Sequence, residues 1–200
     1  MSKVEYVLAD TTVDDVLRNG FVETYRDAFG GPPYYEEYAP DEVIKETLDP
    51  HLKNGHVVLA LRERTVIGFA CAIPVLQAPA YVHSFLKTQS AARLTPDTIP
   101  KVWYISELGV RSGHRRRGIA YELTQAQMAA MVSSGGRNYL VRTAVEGSNS
   151  LHLYRKIGST EIGLQDVSGS CQVTVNQSQS TQRVYLHGSC AAAHEMLRNR

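Results

Sequence analysis

Cysteine is scarce: the 200 residues hold three, Cys71, Cys171 and Cys190. An odd count without C-x-x-C spacing suits neither a disulfide framework nor a zinc site. Reduced thiols in a cytosolic protein are the expectation, with Cys71 in the core because it sits inside an apolar, strand-like run. Long apolar stretches are missing too. None approaches the roughly 20 residues of a membrane span, and MSKVEYVLAD lacks the apolar segment of a signal peptide. A cytoplasmic protein with no membrane partner is therefore expected. Charge of one sign is also absent, since 21 Lys and Arg face 20 Asp and Glu, a net charge of +1. No global field draws a polyanion, which disfavours nucleic acid as a partner. His51, His56, His83, His152, His187 and His194 show no metal-ligand spacing, so no metal is expected. G-x-x-x-x-G-K-[ST] and G-x-G-x-x-G are absent as well, which removes the P-loop and dinucleotide fingerprints.

What is present reads as one α/β domain over 1–200, long enough to bury roughly 70% of its unfolded surface. VEYVLA is a first strand. A helix over about 13–29 follows, with Thr12 as its cap and Val16, Phe21, Tyr25, Ala28 and Phe29 at near-helical spacing. GGPP stops it, and a second helix runs from Pro40 or Asp41 to about Lys53, ended by Asn54-Gly55. HVVLALRE and VIGFACAIPVL form a hairpin buried on both faces, turning near Glu63 and Arg64. An insertion at about 77–101, broken by Pro79, Pro96 and Pro100, has room for one short helix.

WYISELGV is the next strand. Strict alternation puts Trp103, Ile105, Glu107 and Gly109 on one face and Tyr104, Ser106, Leu108 and Val110 on the other. IAYELTQAQMAAMV is a helix with a stripe of Ile119, Leu123, Ala126 and Ala130, stopped at Gly135-Gly136. NYLVRTAV is a strand and SNSLHLYRKIG a short helix; TEIGLQDV and QRVYLHGS are two last strands. The Ser/Gln-rich stretch at about 167–181 is a long hairpin connection or a flexible loop. The tail AAAHEMLRNR is a marginal helix.

The chemistry concentrates in GHRRRGIAYEL. A loop between a strand and a helix aims the helix's first, unpartnered N–H groups and the positive end of its dipole at one point. Gly118 has no Cβ and Ala120 is small, so the backbone can approach a diphosphate closely.

Arg115-x-x-Gly118-x-Ala120, set after Leu108-Gly109-Val110, resembles the [Q/R]-x-x-G-x-[G/A] motif of the GNAT superfamily of acyl-CoA-dependent N-acyltransferases. About 30 residues on, Asn149, Tyr154 and Gly158 match that family's N-x-x-x-x-Y-x-x-x-G helix. The likeness covers nearly the whole chain. It departs in a longer insertion before WYISELGV and in Ser159, where an aromatic often stands. It implies the GNAT fold: a mixed, mostly antiparallel sheet with one splayed parallel strand pair, flanked by helices.

The resemblance further implies that the protein takes acetyl-CoA as acyl donor, without a metal, and acetylates a primary amine of a small molecule or peptide by direct attack. Leu108, Gly109 and Val110 would pair with the pantetheine arm, and the Val110 amide would polarise the thioester carbonyl. Arg115, Arg116, Arg117, Gly118, Ile119 and Ala120 would cradle the phosphates, helped by Lys156, while Asn149 would hold the pantetheine chain. For Arg116, His114 and Lys156 plain solvent exposure is the alternative, and for Asn149 a helix cap. Glu107 is the candidate base, because burial raises a carboxyl towards a useful range; binding a cation or pairing with a neighbour is its other reading. Tyr154 is the candidate general acid for the leaving thiolate, or an aromatic packed on the core. Tyr34, Tyr35 and Glu36, with Glu37 and Tyr38, would meet a cationic acceptor, or form a solvated loop.

Three readings compete with a small-molecule N-acetyltransferase. One is a non-catalytic acyl-CoA-binding regulatory module, opposed by the joint presence of Glu107 and Tyr154. Another is an acetyltransferase for protein N-termini or lysines. The third is nucleic-acid binding through Arg115–Arg117, for which three cations supply few phosphate contacts. The residues leave homodimer formation open.

Overall fold

The computed structural model describes residues 2–31, 34–88, 99–166, 173–175, 178–180 and 182–199. Strand β1 (Glu5–Ala9) leads into helix α1 (Asp15–Gly30). The cap of α1 is Asp14, not Thr12: Asp14 Oδ1 accepts from the Leu17 amide at 2.9 Å. Thr12 is already engaged, its amide and hydroxyl both donating to Asp10 Oδ1. Phe21, Val22, Thr24, Tyr25 and Ala28 form the buried stripe, while Val16 is 62% exposed.

The next helical run spans 40–54. It begins as α2 (Pro40–Glu42), passes through a π-helical stretch (Val43–Leu48) and closes as α3 (Asp49–Asn54). Strands β2 (His56–Arg62) and β3 (Thr65–Pro74) form the expected buried hairpin. Its two turn residues, Glu63 and Arg64, both take positive φ, the conformation whose twist matches a two-residue hairpin. Within the 77–101 insertion the structure places α4 (Ala80–Thr88), whose Val82 and Phe85 are buried; 89–98 lie outside the described residues.

Strand β4 (Val102–Val110), helix α5 (Ile119–Ser133), strand β5 (Asn138–Ala144) and helix α6 (Asn149–Lys156) follow in the expected order. The buried side of α5 carries Ile119, Leu123, Thr124, Gln127, Met128 and Met131. Ala126 and Ala130 are only half-buried, because the helix turns its longer side chains to the sheet. Ser159 holds the position after Gly158 with a hydroxyl contact to Tyr139 Oη at 2.6 Å.

Strands β6 (Thr160–Asp166) and β9 (Gln182–Ser189) pair antiparallel. Between them the structure describes a small ladder of β7 (Val173–Val175) and β8 (Ser178–Ser180); the rest of the 167–181 loop, with Cys171, lies outside the described residues. The tail is α7 (Cys190–Arg198), no marginal helix. It packs on α5 and buries Cys190, Ala193 and Leu197 in the core beside Met128 and Met131. That burial supplies what its short length cannot. Cys71 is fully buried, as expected.

The main sheet has seven strands in the order β1-β2-β3-β4-β5-β9-β6. Among the described pairs only β4 and β5 run parallel. One side is covered by α5, α6 and α7, the other by α1, the 40–54 run and α4. No described helix is long and apolar enough to cross a membrane.

Candidate active site

The site begins where β4 leaves its neighbour. Pairing of β4 with β5 runs from Val102↔Asn138 to Ile105↔Val141 and ends there. Beyond it, 106–110 keep β3 on one edge and have no strand on the other. A bulge sits at the same place: Cys71 faces Glu107 while Ala72 faces Ile105, leaving Ser106 as the extra residue.

The bulge overturns the strict alternation expected for β4. Trp103 and Ile105 pack with Met128 and Met131 on the α5 side. Past Ser106 it is Leu108 and Val110 that meet Ile119 and Leu123 on that side. Tyr104, Ser106 and Glu107, assigned by parity to opposite faces, therefore line one cavity. One inserted residue reverses the phase of every side chain after it.

The inner cavity is small, about 130 Å³, and passes through the gap, since Tyr104 and Ile105 of β4 and Val141 and Arg142 of β5 all line it. Glu107 is half-buried in its wall. Burial pushes its carboxyl up to about 8; Glu36 adds to the rise and Arg142 opposes it. Opposite stands Tyr154 from α6, 1% exposed. Its hydroxyl has no hydrogen-bond partner among the described residues, and burial raises its pKa above the ordinary phenol value.

Ser106 adds a contact that parity hid. His51 Nδ1 lies 2.6 Å from the Thr47 carbonyl oxygen, so that nitrogen carries the proton. Nε2 is then the acceptor for Ser106 Oγ at 2.7 Å. Burial lowers the His51 pKa and keeps the ring neutral.

The roof comes from the 34–38 segment. Tyr34 packs edge-on against Phe29 and Tyr38 against Tyr25, and the Tyr38 hydroxyl donates to Glu36 Oε2 at 2.6 Å. Aromatic packing thus sets Tyr34 and Glu36 in the cavity wall. Tyr35 points elsewhere: its φ is +52° and it is 56% exposed.

A larger outer cleft of about 750 Å³ adjoins the inner cavity at Phe29, Tyr34, Leu108 and Ser150. Leu108, Gly109, Val110, Arg115, Arg116, Gly118, Ile119, Ala120 and Asn149 line it. Arg117 and Lys156 are exposed outside that lining. Gly118 precedes α5 in the left-handed conformation, φ +81°. A Cβ built there meets nothing within 4 Å, so it would project into the open cleft.

The arginines have unequal tasks. Arg115 turns inward, its Nε donating to the Val110 carbonyl at 3.2 Å and its Nη2 to the Ala28 carbonyl at 2.8 Å. Arg111 reaches Thr24 Oγ1 and Glu23, and Ser112 is held by Asp27. The end of α1 therefore fixes the loop that starts α5. Ser148 stands at the N-cap position of α6 without a side-chain capping bond, and Asn149 is its first residue, facing the cleft.

Sequence reasoning missed Arg142, Arg183, Tyr81 and His51. Arg142 and Arg183 sit on strands whose neighbours only the sheet order reveals, and Tyr81 belongs to the insertion. No metal-ligating cluster of three or more His, Cys, Asp or Glu occurs among the described residues.

The cleft suits acetyl-CoA on two observations: a glycine-lined helix start open to a diphosphate, and beside it a buried phenol whose hydroxyl has no hydrogen-bond partner among the described residues. Comparisons with known proteins agree. The profile of the acetyltransferase (GNAT) family matches residues 17–158. A search of curated proteins gives no match. An N-acetyltransferase from Staphylococcus aureus Mu50 superposes with a TM-score of 0.67 at 15% identity, covering 94% of this chain and 99% of that one. A GNAT family acetyltransferase from Elizabethkingia anophelis, solved with acetyl-CoA bound, gives 0.61 at 14% identity over 93% and 97%. The ribosomal-protein-S18-alanine N-acetyltransferase of Escherichia coli gives 0.62 at 10% identity over 94% of each chain. With more than half its length matched by the family profile, on the fold those structures share, this chain belongs to the GNAT family of acetyltransferases.

Proposed function

We propose that the protein moves the acetyl group of acetyl-CoA directly to the primary amine of a small molecule, both substrates being bound together. The observation that carries this reading is the presence in one cavity, beside the outer cleft, of Glu107 and a Tyr154 hydroxyl with no hydrogen-bond partner among the described residues. A regulatory module that only held acyl-CoA would need neither a raised carboxyl nor an orphaned phenol there.

Acetyl-CoA supplies an activated acyl group and a thiolate leaving group. In this reading the Gly118, Ile119 and Ala120 backbone and the Arg115 and Arg116 charges hold its diphosphate at the start of α5. The free edge of β4 at Leu108–Val110 and Asn149 hold the pantetheine arm, and the Val110 amide faces the carbonyl oxygen. Glu107 takes a proton from the acceptor ammonium, directly or through one water, and the neutral amine so formed attacks. Tyr154 gives its proton to the departing sulfur. Burial keeps Tyr154 protonated, and the same dry surroundings raise the basicity of the thiolate that receives the proton. Holding both reactants in one cleft supplies the rest of the acceleration.

Two measurements test this. Acetyl-CoA at a hundred times its dissociation constant stabilises the folded state by about 2.7 kcal/mol, a rise of about 5–10 °C in melting temperature at this chain length. No shift at millimolar acetyl-CoA would sink the proposal. Tyr154→Phe keeps the ring and removes the proton. It is expected to lower kcat about 10- to 100-fold, with acetyl-CoA stabilisation unchanged. Full activity in that variant would remove Tyr154 from the mechanism.

A further inference from the structure

The acceptor end of the inner cavity is lined by two guanidinium groups from adjacent strands. In the β5–β9 register Arg142 faces Tyr185 and Arg183 faces Ala144. Tyr185 and Arg183 are two residues apart, so Arg142 and Arg183 are diagonal neighbours on one face of the sheet. Such diagonals lie about 7–8 Å apart, within reach of long side chains converging on one anion. Both arginines line the cavity, and Arg183 is only 5% exposed. Arg142 is oriented: its guanidinium lies over the Tyr81 ring, 3.9 Å from the centroid, and its Nη1 donates to Gln165 Oε1 at 3.4 Å.

The other wall carries two carboxyl groups. Glu107 comes from β4 and Glu36 from the roof. The cavity therefore has a cationic pole on β5 and β9 and an acidic pole on β4 and the 34–38 segment. Its volume of about 130 Å³ has room for about four waters at about 30 Å³ each, the size of a small amino acid rather than a sugar or a polyamine. Two guanidinium groups beside one small space favour an anion there. Their planar forks match a carboxylate in geometry as well as charge.

We propose that the acceptor is a small primary amine that also carries a carboxylate, its carboxylate held by Arg142 and Arg183 and its amine presented to Glu107. This rests on the acetyl-transfer reading above. In the reaction the amine nitrogen bonds to the acetyl carbon, the carbon–sulfur bond breaks and the sulfur leaves as CoA thiol. One ammonium proton passes to Glu107 before attack; Tyr154 gives its proton to the sulfur and is restored by the second proton that the nitrogen sheds as the amide forms. The carboxylate takes no part in the bonds that change; it sets which amine is seated.

The test is thiol release by the full-length protein at saturating acetyl-CoA, with α-, β- and γ-amino acids each paired with its methylamide. At least one amino acid is expected to exceed its methylamide by 100-fold or more in kcat/KM, because a site built around a charged group rejects the analogue that lacks it. Arg142→Gln and Arg183→Gln should raise KM for the acid at least tenfold and shrink the acid-to-methylamide ratio of kcat/KM by the same factor. Should either variant fail to fold, the wild-type protein with CoA still reports: an N-acetyl amino acid should raise its melting temperature and the N-acetyl methylamide should not. Methylamides that react as well as the acids overturn the proposal. So does the case in which no amino acid reacts and no N-acetyl amino acid stabilises the protein. If acetyl-CoA binds and carboxylate-free amines are acetylated equally well, only this inference falls. If acetyl-CoA gives no stabilisation and no amine releases thiol, the acetyl-transfer reading falls with it.

Discussion

Replacing Glu107 with glutamine is expected to lower kcat/KM by about 10²- to 10³-fold and to remove the break near pH 8 from its pH profile. The sign follows from the environment. Burial, with Glu36 nearby, lifts the Glu107 carboxyl from 4.5 to about 8. Below about 8 the group holds its proton and cannot accept another. The base form therefore appears as pH rises, and each unit below that value removes close to tenfold of kcat/KM. In Glu107→Gln nothing titrates at this position, so the break near pH 8 disappears and the remaining rise with pH follows the acceptor ammonium alone. Thiol release measured between pH 6 and 9 checks it, and a variant that keeps both rate and break would exclude Glu107 as the base.

The same shift has a consequence for stability, with the opposite sign. A carboxyl whose folded pKa lies above its unfolded value favours folding in its protonated form. That contribution is complete below about 4.5 and is lost as pH rises through about 8. Above pH 8 the wild-type protein buries a charged carboxylate and Glu107→Gln does not. The variant should melt at an equal or higher temperature at pH 9 while being nearly inactive, the trade-off expected of a group kept for chemistry. Thermal melts at pH 5 and pH 9 separate this outcome from a simple loss of fold.

The largest effect on stability is expected from Gly109→Ala. A Cβ on Gly109 would lie 2.4 Å from Phe69 Cζ, 2.6 Å from Phe69 Cε1 and 3.1 Å from Ala28 Cβ. Phe69 cannot swing aside freely: it stacks on Tyr25 at 5.5 Å and touches Phe21 at 4.8 Å and Phe29 at 6.3 Å between ring centroids. Tyr25 and Phe29 in turn support Tyr38 and Tyr34 over the inner cavity. Adding one methyl group should therefore cost about 3 kcal/mol by overpacking, a fall of about 6–12 °C in melting temperature. It should also raise KM for the acceptor, because the displaced ring moves the roof. A melting temperature within 2 °C of wild type would show that the aromatic cluster can yield. Gly109 thus has a packing reason for being glycine, beside the place in the cofactor strand that the L-G-V motif implied.

How much of the site was legible can be followed along β4. Period-two alternation placed the strand within one residue of its observed bounds, and apolar runs located β2 within one residue and β3 within two. The glycine-bearing loop pointed to an anion site, and the structure gives it an open cleft and an extended α5 behind it. Alternation failed at Ser106. A bulge is a property of two strands together, arising from the pairing of β4 with β3, and a single strand's pattern does not encode it. From parity, Tyr104 and Ser106 belonged on the far side of the sheet from Glu107; in the folded chain they share its cavity.

Short-range chemistry was therefore written in the sequence itself. It determined the order of strands and helices, the glycine at the start of α5, the burial of Cys71, and the spacing from Arg115 to Tyr154, because each depends on residues a few positions apart. Tertiary structure alone decided which charges meet. Arg142 and Arg183 become neighbours only because β9 inserts between β5 and β6, and both face Glu107 and Glu36 only because β4 and β5 part after Ile105 and Val141. Sheet order and strand divergence are set by the packing of helices on both faces, a balance of many distant contacts that no local pattern records.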